Sequence, residues 1–301
     1  MVDVEKIKGG PYGIAEGPIW DDSRQVLLWT DIMSGSVFEF SPKTDCVKPI
    51  ISNAYANAVA LNESGLIIVG QKGVVLFDEG TLSPLADRIA DEPLKCNDAI
   101  ADAKGRLLFG SLYYNEKEPY VLGKLYSMNP DGKIDILDEG FHHANGIGFS
   151  PDNKTLYFTD TAVRRIFAYD YDIVSGLAKN RRVFVQVPDH EGIPDGLTVD
   201  AEGFVWSAQW YGGCIVRYDP SGIIERRITL PVLQTASLTF GGTDLTDIYV
   251  TSAAHRVRLK IAPAGYDHEA ENAGGSVYRL NVGIKGKIEY KATLKISDKG
   301  G

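Results

Sequence analysis

One unit recurs six times along the chain: a polar residue, a short apolar run, a turn, and a second apolar run. The first runs are Glu16-Gly17-Pro18-Ile19-Trp20, Asn57-Ala58-Val59-Ala60-Leu61, Asn97-Asp98-Ala99-Ile100-Ala101, Asn145-Gly146-Ile147-Gly148-Phe149, Asp195-Gly196-Leu197-Thr198-Val199 and Ser237-Leu238-Thr239-Phe240. Each is followed by a partner such as Leu27-Leu28-Trp29-Thr30 or Leu156-Tyr157-Phe158-Thr159. The leading residues lie 41, 40, 48, 50 and 42 positions apart. Several units add a third alternating run, as in Lys124-Leu125-Tyr126-Ser127-Met128 and Arg165-Ile166-Phe167-Ala168-Tyr169. Turn dipeptides such as Asp131-Gly132, Glu202-Gly203 and Ser221-Gly222 separate the runs.

Short strands, glycine-rich turns and a period of this length predict an all-β fold, a six-bladed β-propeller with four-stranded antiparallel blades, spanning 1–301 as one domain. A β-sandwich would leave the recurring polar residue at the head of each unit without a reason. A propeller must also close its ring. Runs at 248–252, 276–281 and 287–296 are expected in the last unit, and the N-terminal segment Val2–Ile7 is expected to complete that sheet and protect its edges.

Composition narrows the function. A formal net charge of -9 argues against nucleic acid, whose binding rests on clustered Lys and Arg. The pairs Arg164-Arg165, Arg181-Arg182 and Arg226-Arg227 sit beside alternating strands and read as solvated strand faces. No stretch reaches the roughly 20 apolar residues of a membrane-spanning helix, and charge at the N-terminus does not suit a signal peptide. A cytoplasmic protein without membrane partners is expected. Cys46, Cys96 and Cys214 are too few and too far apart for a disulfide framework or a CxxC zinc site, and Cys96 reads as a buried structural thiol.

Equivalent positions of successive blades converge on the axis of a propeller. The converging residues here are Glu16, Asn57, Asn97, Asn145, Asp195 and Ser237: two carboxylates and neutral oxygen donors, without thiol or imidazole. Hard divalent cations such as Ca²⁺, Mg²⁺ or Mn²⁺ favour such oxygens. Taken singly, Asn57 and Ser237 also read as strand-end groups bonded to backbone.

The segments Glu16-Gly17-Pro18-Ile19-Trp20, Cys96-Asn97-Asp98, Ala144-Asn145-Gly146-Ile147, Asn180-Arg181-Arg182 and Ile193-Pro194-Asp195-Gly196-Leu197 resemble the motifs of the SMP-30/gluconolactonase/luciferin-regenerating-enzyme-like family. Phe240-Gly241-Gly242, Tyr249-Val250-Thr251 and Ala273-Gly274-Gly275 are similar too, so the resemblance runs over nearly the whole chain. It implies an axial divalent cation (Ca, Zn, Mn or Mg) held by Glu16, Asn145 and Asp195, and hydrolysis of a sugar lactone, gluconolactonase-like, with Asp195 as general base. It also implies substrate contacts from Asn97, from Lys95 where relatives often carry Arg, and from the neighbourhood of Asn115 or Glu116. Lysine keeps the charge but lacks the planar fork of arginine. Asn97-Asp98-Ala99 departs from the Asn-Asp-Gly frequent in the family.

Lactone opening needs an activated water, a polarised carbonyl and support for the developing oxyanion. The aromatics Tyr113, Tyr114, Trp210 and Tyr211 follow second strands and are placed to stack on a sugar or to pack. His142 and His143 precede Asn145, but adjacent strand residues face opposite ways, so at most one aims at the axis. They and His190 read as packing or loop residues. Two alternatives stay open: a metal-dependent phosphotriesterase-like hydrolase, and a non-catalytic binding propeller. A monomer is the default, because a closed ring leaves few edges to pair.

Overall fold

The computed structural model describes residues 2–112 and 121–296. Six four-stranded antiparallel sheets form a ring of blades. Blade 1 holds Ala15–Asp21, Val26–Asp31, Ser36–Ser41 and Cys46–Ile51, in that order from the axis outward. Blades 2 to 5 begin at Ala56–Leu61, Cys96–Ala101, Ala144–Phe149 and Ile193–Val199, and their later strands follow outward in chain order. Blade 6 begins at Thr235–Gly241 and continues with Asp247–Ser252 and Tyr278–Asn281. Its outermost strand is N-terminal, with Val4 paired to Leu280 and Lys6 to Tyr278. The expected closure by the N-terminal segment is therefore present.

The run at 287–296 is not a strand of blade 6. It crosses beneath the ring, where Ala292 bridges Asn62, Thr293 N–H donates to the Gly105 carbonyl (2.9 Å) and Leu294 N–H donates to Asn62 Oδ1 (3.0 Å). Its alternation reflects Ala292 and Leu294 packing into the wedge between blades 2 and 3. The N-terminal strand had already taken the edge it was expected to fill.

Alternating apolar residues build the core in wedges rather than in one mass. Separate clusters lie between blades 1 and 2, 2 and 3, 3 and 4, 4 and 5, 5 and 6, and 6 and 1. Trp29, Phe109, Phe158, Trp206 and Tyr249 are fully buried in them. Burial of each such side chain is worth about 1.5–3 kcal/mol, so every blade is held mainly by its two neighbours. Among the described residues no helix is long and apolar enough to cross a membrane.

Candidate active site and metal centre

The alternation of all six innermost strands is interrupted near the leading polar residue. Register shifts fall between Glu16 and Ile19, Ala56 and Ala58, Cys96 and Ala99, Asn145 and Ile147, Pro194 and Leu197, and Thr235 and Leu238. A bulge bends its strand and turns the extra residue out of the pleat. Five of the six leading residues, Glu16, Asn57, Asn97, Asn145 and Asp195, consequently line one cavity of about 530 Å³.

Close approach explains the glycines that follow two of them. A Cβ at Gly196 would lie 2.0 Å from Ser237 Oγ, and one at Gly146 would lie 2.5 Å from the Leu197 nitrogen. Ser237 is thus packed against blade 5 and does not line the large cavity. It faces a smaller space farther along the axis with Gly17, Asp98, Ile147 and Leu197, so the expected six-residue convergence is five residues plus a spacer.

Amides knit the site together. Asn57 Nδ2 donates to the Cys96 carbonyl (3.0 Å), which gives Asn57 the backbone-bonded role open to it from sequence. Asn97 Nδ2 donates to the Ala144 carbonyl (2.9 Å) and to Asn145 Oδ1 (3.2 Å). Asn145 Nδ2 donates to Thr161 Oγ1 (3.1 Å) and to Asp195 Oδ1.

The electrostatics are unusual for a protein interior. Glu16 and Asp195 are enclosed, and burial followed by carboxylate repulsion raises both well above the ordinary range. Asp98 adds a third enclosed carboxylate, pushed up to about 6 by burial. Sequence reasoning missed it, although a signal existed: Asp98 occupies the position filled by Gly17, Gly146 and Gly196 in other units. Glu16 accepts one bond from the Gly17 N–H (3.0 Å) and Asp98 one from Ala99 N–H (2.8 Å). Among the described residues no Lys or Arg forms an ion pair with any of the three.

Buried carboxylates without a cationic partner suit a divalent cation, and all the donors are oxygen. No three His, Cys, Asp or Glu side chains among the described residues form a complete ligand set. A centre here needs the Asn145 amide oxygen, which accepts from Asn97 Nδ2, as its third donor.

The walls come from farther along the chain. His143 lines the cavity, and burial pushes its imidazole down to about 4, so it stays neutral at physiological pH. His142 is more exposed and lies near Asp160, and His190 is exposed. Trp210 lines the cavity, whereas Tyr211 stands behind the wall. Its hydroxyl donates to the Val257 carbonyl and accepts from Leu259 N–H (3.1 Å). Lys95 is exposed and is not among the lining residues. Tyr113, Tyr114, Asn115 and Glu116 lie outside the described residues.

Sequence reasoning also missed the roof. Residues 253–277, between the second and third strands of blade 6, form a strap whose His255, Arg256, Val257, Arg258 and Leu259 line the cavity. No period or motif marks this segment as part of the site.

Comparison with known proteins places these features among relatives. A family profile described as "SMP-30/Gluconolactonase/LRE-like region" matches residues 14–254. Pentonolactonase XacC of Haloferax volcanii is 32% identical over 293 residues, covering 94% of this chain and 96% of its own. The solved structure of a luciferin-regenerating enzyme superposes with a TM-score of 0.87 at 26% identity, covering 98% of this chain and 100% of the other. A calcium-binding protein, regucalcin, from Agrobacterium tumefaciens gives 0.85 at 26% identity and 98% coverage of both.

Proposed function

Because the chain belongs to the SMP-30/gluconolactonase/LRE-like family, we propose that its axial cavity opens a sugar lactone to the aldonic acid, using one divalent cation held by Glu16, Asn145 and Asp195. The observation that carries this reading is the meeting of Glu16 and Asp195 with Asn145 in one cavity, with no Lys or Arg ion-paired to either carboxylate among the described residues. The lactonase activity named for the Haloferax relative supports the substrate class, and the calcium binding named for the Agrobacterium protein supports the cation.

A cation bound there would supply Lewis acidity toward an ester carbonyl. Asp195 takes the proton of the attacking water as the water oxygen bonds to the acyl carbon. The carbon–oxygen bond of the ring then breaks, and Asp195 returns the proton to the departing ring oxygen. Asn97 donates through its nitrogen to Ala144 and Asn145, which leaves its amide oxygen to accept from a sugar hydroxyl. Neutral His143 contributes wall rather than charge. Lys95 and Asn115 remain the proposed outer substrate contacts.

The test is a pH-indicator assay of glucono-, galactono-, xylono- and arabinono-lactones on chelator-stripped protein, with Mn²⁺, Zn²⁺, Ca²⁺ or Mg²⁺ restored in turn. A rate that needs the cation and disappears in Asp195→Asn supports the reading. Activity that survives both changes moves the chemistry elsewhere, and inactivity on every lactone with metal bound favours phosphotriesters or a binding role.

A further inference from the structure

The corner after the second strand of blade 4 is a short 3-10 turn, Thr161–Val163, closed by Arg164 at φ 58°. A long side chain is disfavoured in that left-handed conformation, so the surroundings must hold it there. The Arg164 side chain is only 8% exposed. Its Nη1 donates to the carbonyls of Pro188 (3.2 Å), Glu191 (3.1 Å) and Gly192 (3.1 Å), and its Nη2 donates to the carbonyl of Ile261 (2.6 Å). The one carboxylate paired with it among the described residues, Asp189, is 3.6 Å from Nε and 99% exposed. Burial accordingly lowers the pKa of this guanidinium. Backbone carbonyls, rather than a buried acid, carry most of its charge.

The segments joined by this side chain are those that shape the site. Gly192 leads directly into Ile193–Val199, the strand bearing Asp195. Ile261 lies just beyond the strap residues 255–259 that roof the cavity. Thr161, at the other end of the same turn, accepts the bond from Asn145 Nδ2. Tyr211, also left-handed at φ 67°, grips the strap at Val257 and Leu259 from blade 5. The strap's apolar residues Val257, Leu259 and Ile261 pack with Trp210 and Tyr211 but contribute no strand of their own. Backbone bonds tie its two ends, with Ala254 and His255 N–H donating to the Tyr12 and Gly13 carbonyls and the Asn272 and Ala273 carbonyls accepting from Leu233 and Gln234 N–H, so the position of its middle depends on such side-chain anchors.

We propose that Arg164 is a positioning residue that locks the 253–277 strap over the mouth of the axial cavity and thereby sets how tightly substrate is held. The kinetic half of this inference rests on the lactonase reading; the structural half does not. Arg164→Ala removes every bond from the guanidinium, whereas Arg164→Lys keeps the charge without a fork that can reach both Ile261 and the 188–192 carbonyls. Arg165→Ala, at an exposed neighbour bonded to Gln186, is the control.

Hydrogen exchange of the 253–262 amides is expected to rise on the order of tenfold or more in Arg164→Ala, less in Arg164→Lys, with the blade strands unchanged. With an active lactone, KM rises on the order of tenfold while kcat stays within about twofold, the signature of lost binding rather than lost chemistry. Guanidinium ion, with sodium chloride at equal ionic strength as control, should restore part of KM in Arg164→Ala. Unchanged strap exchange in both variants overturns the inference. So does exchange that rises through all six blades with kcat and KM impaired together, which marks an ordinary packing residue. If the native protein opens no lactone, strap exchange alone decides this inference, and the lactonase reading fails separately.

Discussion

The inner strands of blades 3 and 5 each carry an aspartate near the axis and a buried one just past the opposite end, and the two ends treat charge differently. Past the strand ends, Asp102 is matched by Arg106 (2.7 Å) and the Tyr171 hydroxyl (2.7 Å). Asp200 is likewise matched by Arg217 (2.9 Å) and Trp206 Nε1 (2.8 Å), and Arg217 stacks on Phe204. Near the axis, Asp98 and Asp195 join Glu16 with only amides and backbone N–H groups as partners among the described residues. A buried ion whose partner lies within the chain serves the fold. A buried group with no cationic partner among the described residues is stable as an ion only when a cation arrives from outside, which is why the proposed cation is assigned to the axial end.

The sharpest way to break this comparison is at Asp195. Asp195→Asn preserves size and removes both a negative ligand and the proposed base, so kcat on an active lactone should fall roughly 10²–10⁴-fold in steady-state assays. A smaller loss would mean that the axial acid is not the base.

At the paired end the expected effect is on stability instead. Arg217→Ala leaves Asp200 buried without its cationic partner, and urea unfolding should show a loss of about 3–5 kcal/mol, while divalent-cation affinity by titration calorimetry stays at the native value. A change in affinity would show that the two ends are not independent.

Cation binding should stabilise the axial end. At a hundredfold excess over Kd, it should raise the unfolding free energy by about 2.7 kcal/mol, read as an increase in Tm. Glu16→Gln should lose that response yet melt above the native protein in the metal-free state, because one uncompensated carboxylate is gone. If Glu16→Gln melts lower without metal, the carboxylates are satisfied by the protein alone.

The smallest effect concerns thiols. Cys96 lies beside Asn97, and burial raises its pKa well above the usual thiol range; Cys214 is raised too. Alkylation of the native protein near pH 8 should therefore label Cys46, the exposed thiol, and spare the other two until unfolding. Early labelling of Cys96 would show that the axial end opens to solvent.

Much of this was legible without coordinates, for local reasons. The repeat of a polar residue and two apolar runs reports which faces each strand buries, and the period reports one blade per unit, so the six blades could be counted and Glu16, Asn145 and Asp195 named among residues that meet near the axis. The N-terminal closing strand was also readable, because an open ring leaves an unpaired edge.

Alternation alone could not give the bulges that turn the leading side chains toward the axis, nor separate Ser237, packed at Gly196, from the other five. Asp98 was hidden because a glycine position holds a carboxylate only in that blade. The run at 287–296 looked like one more strand, but which edge it could occupy depended on where the N-terminus docked. Arg164 and the 253–277 strap are about a hundred residues apart in sequence and meet through a guanidinium and a carbonyl. Sequence by itself determined the repeated blade and its polar head, because both follow from neighbouring residues. Tertiary structure decided how the heads point, which charges go unpaired and what roofs the cavity, because those depend on packing between blades far apart in the chain.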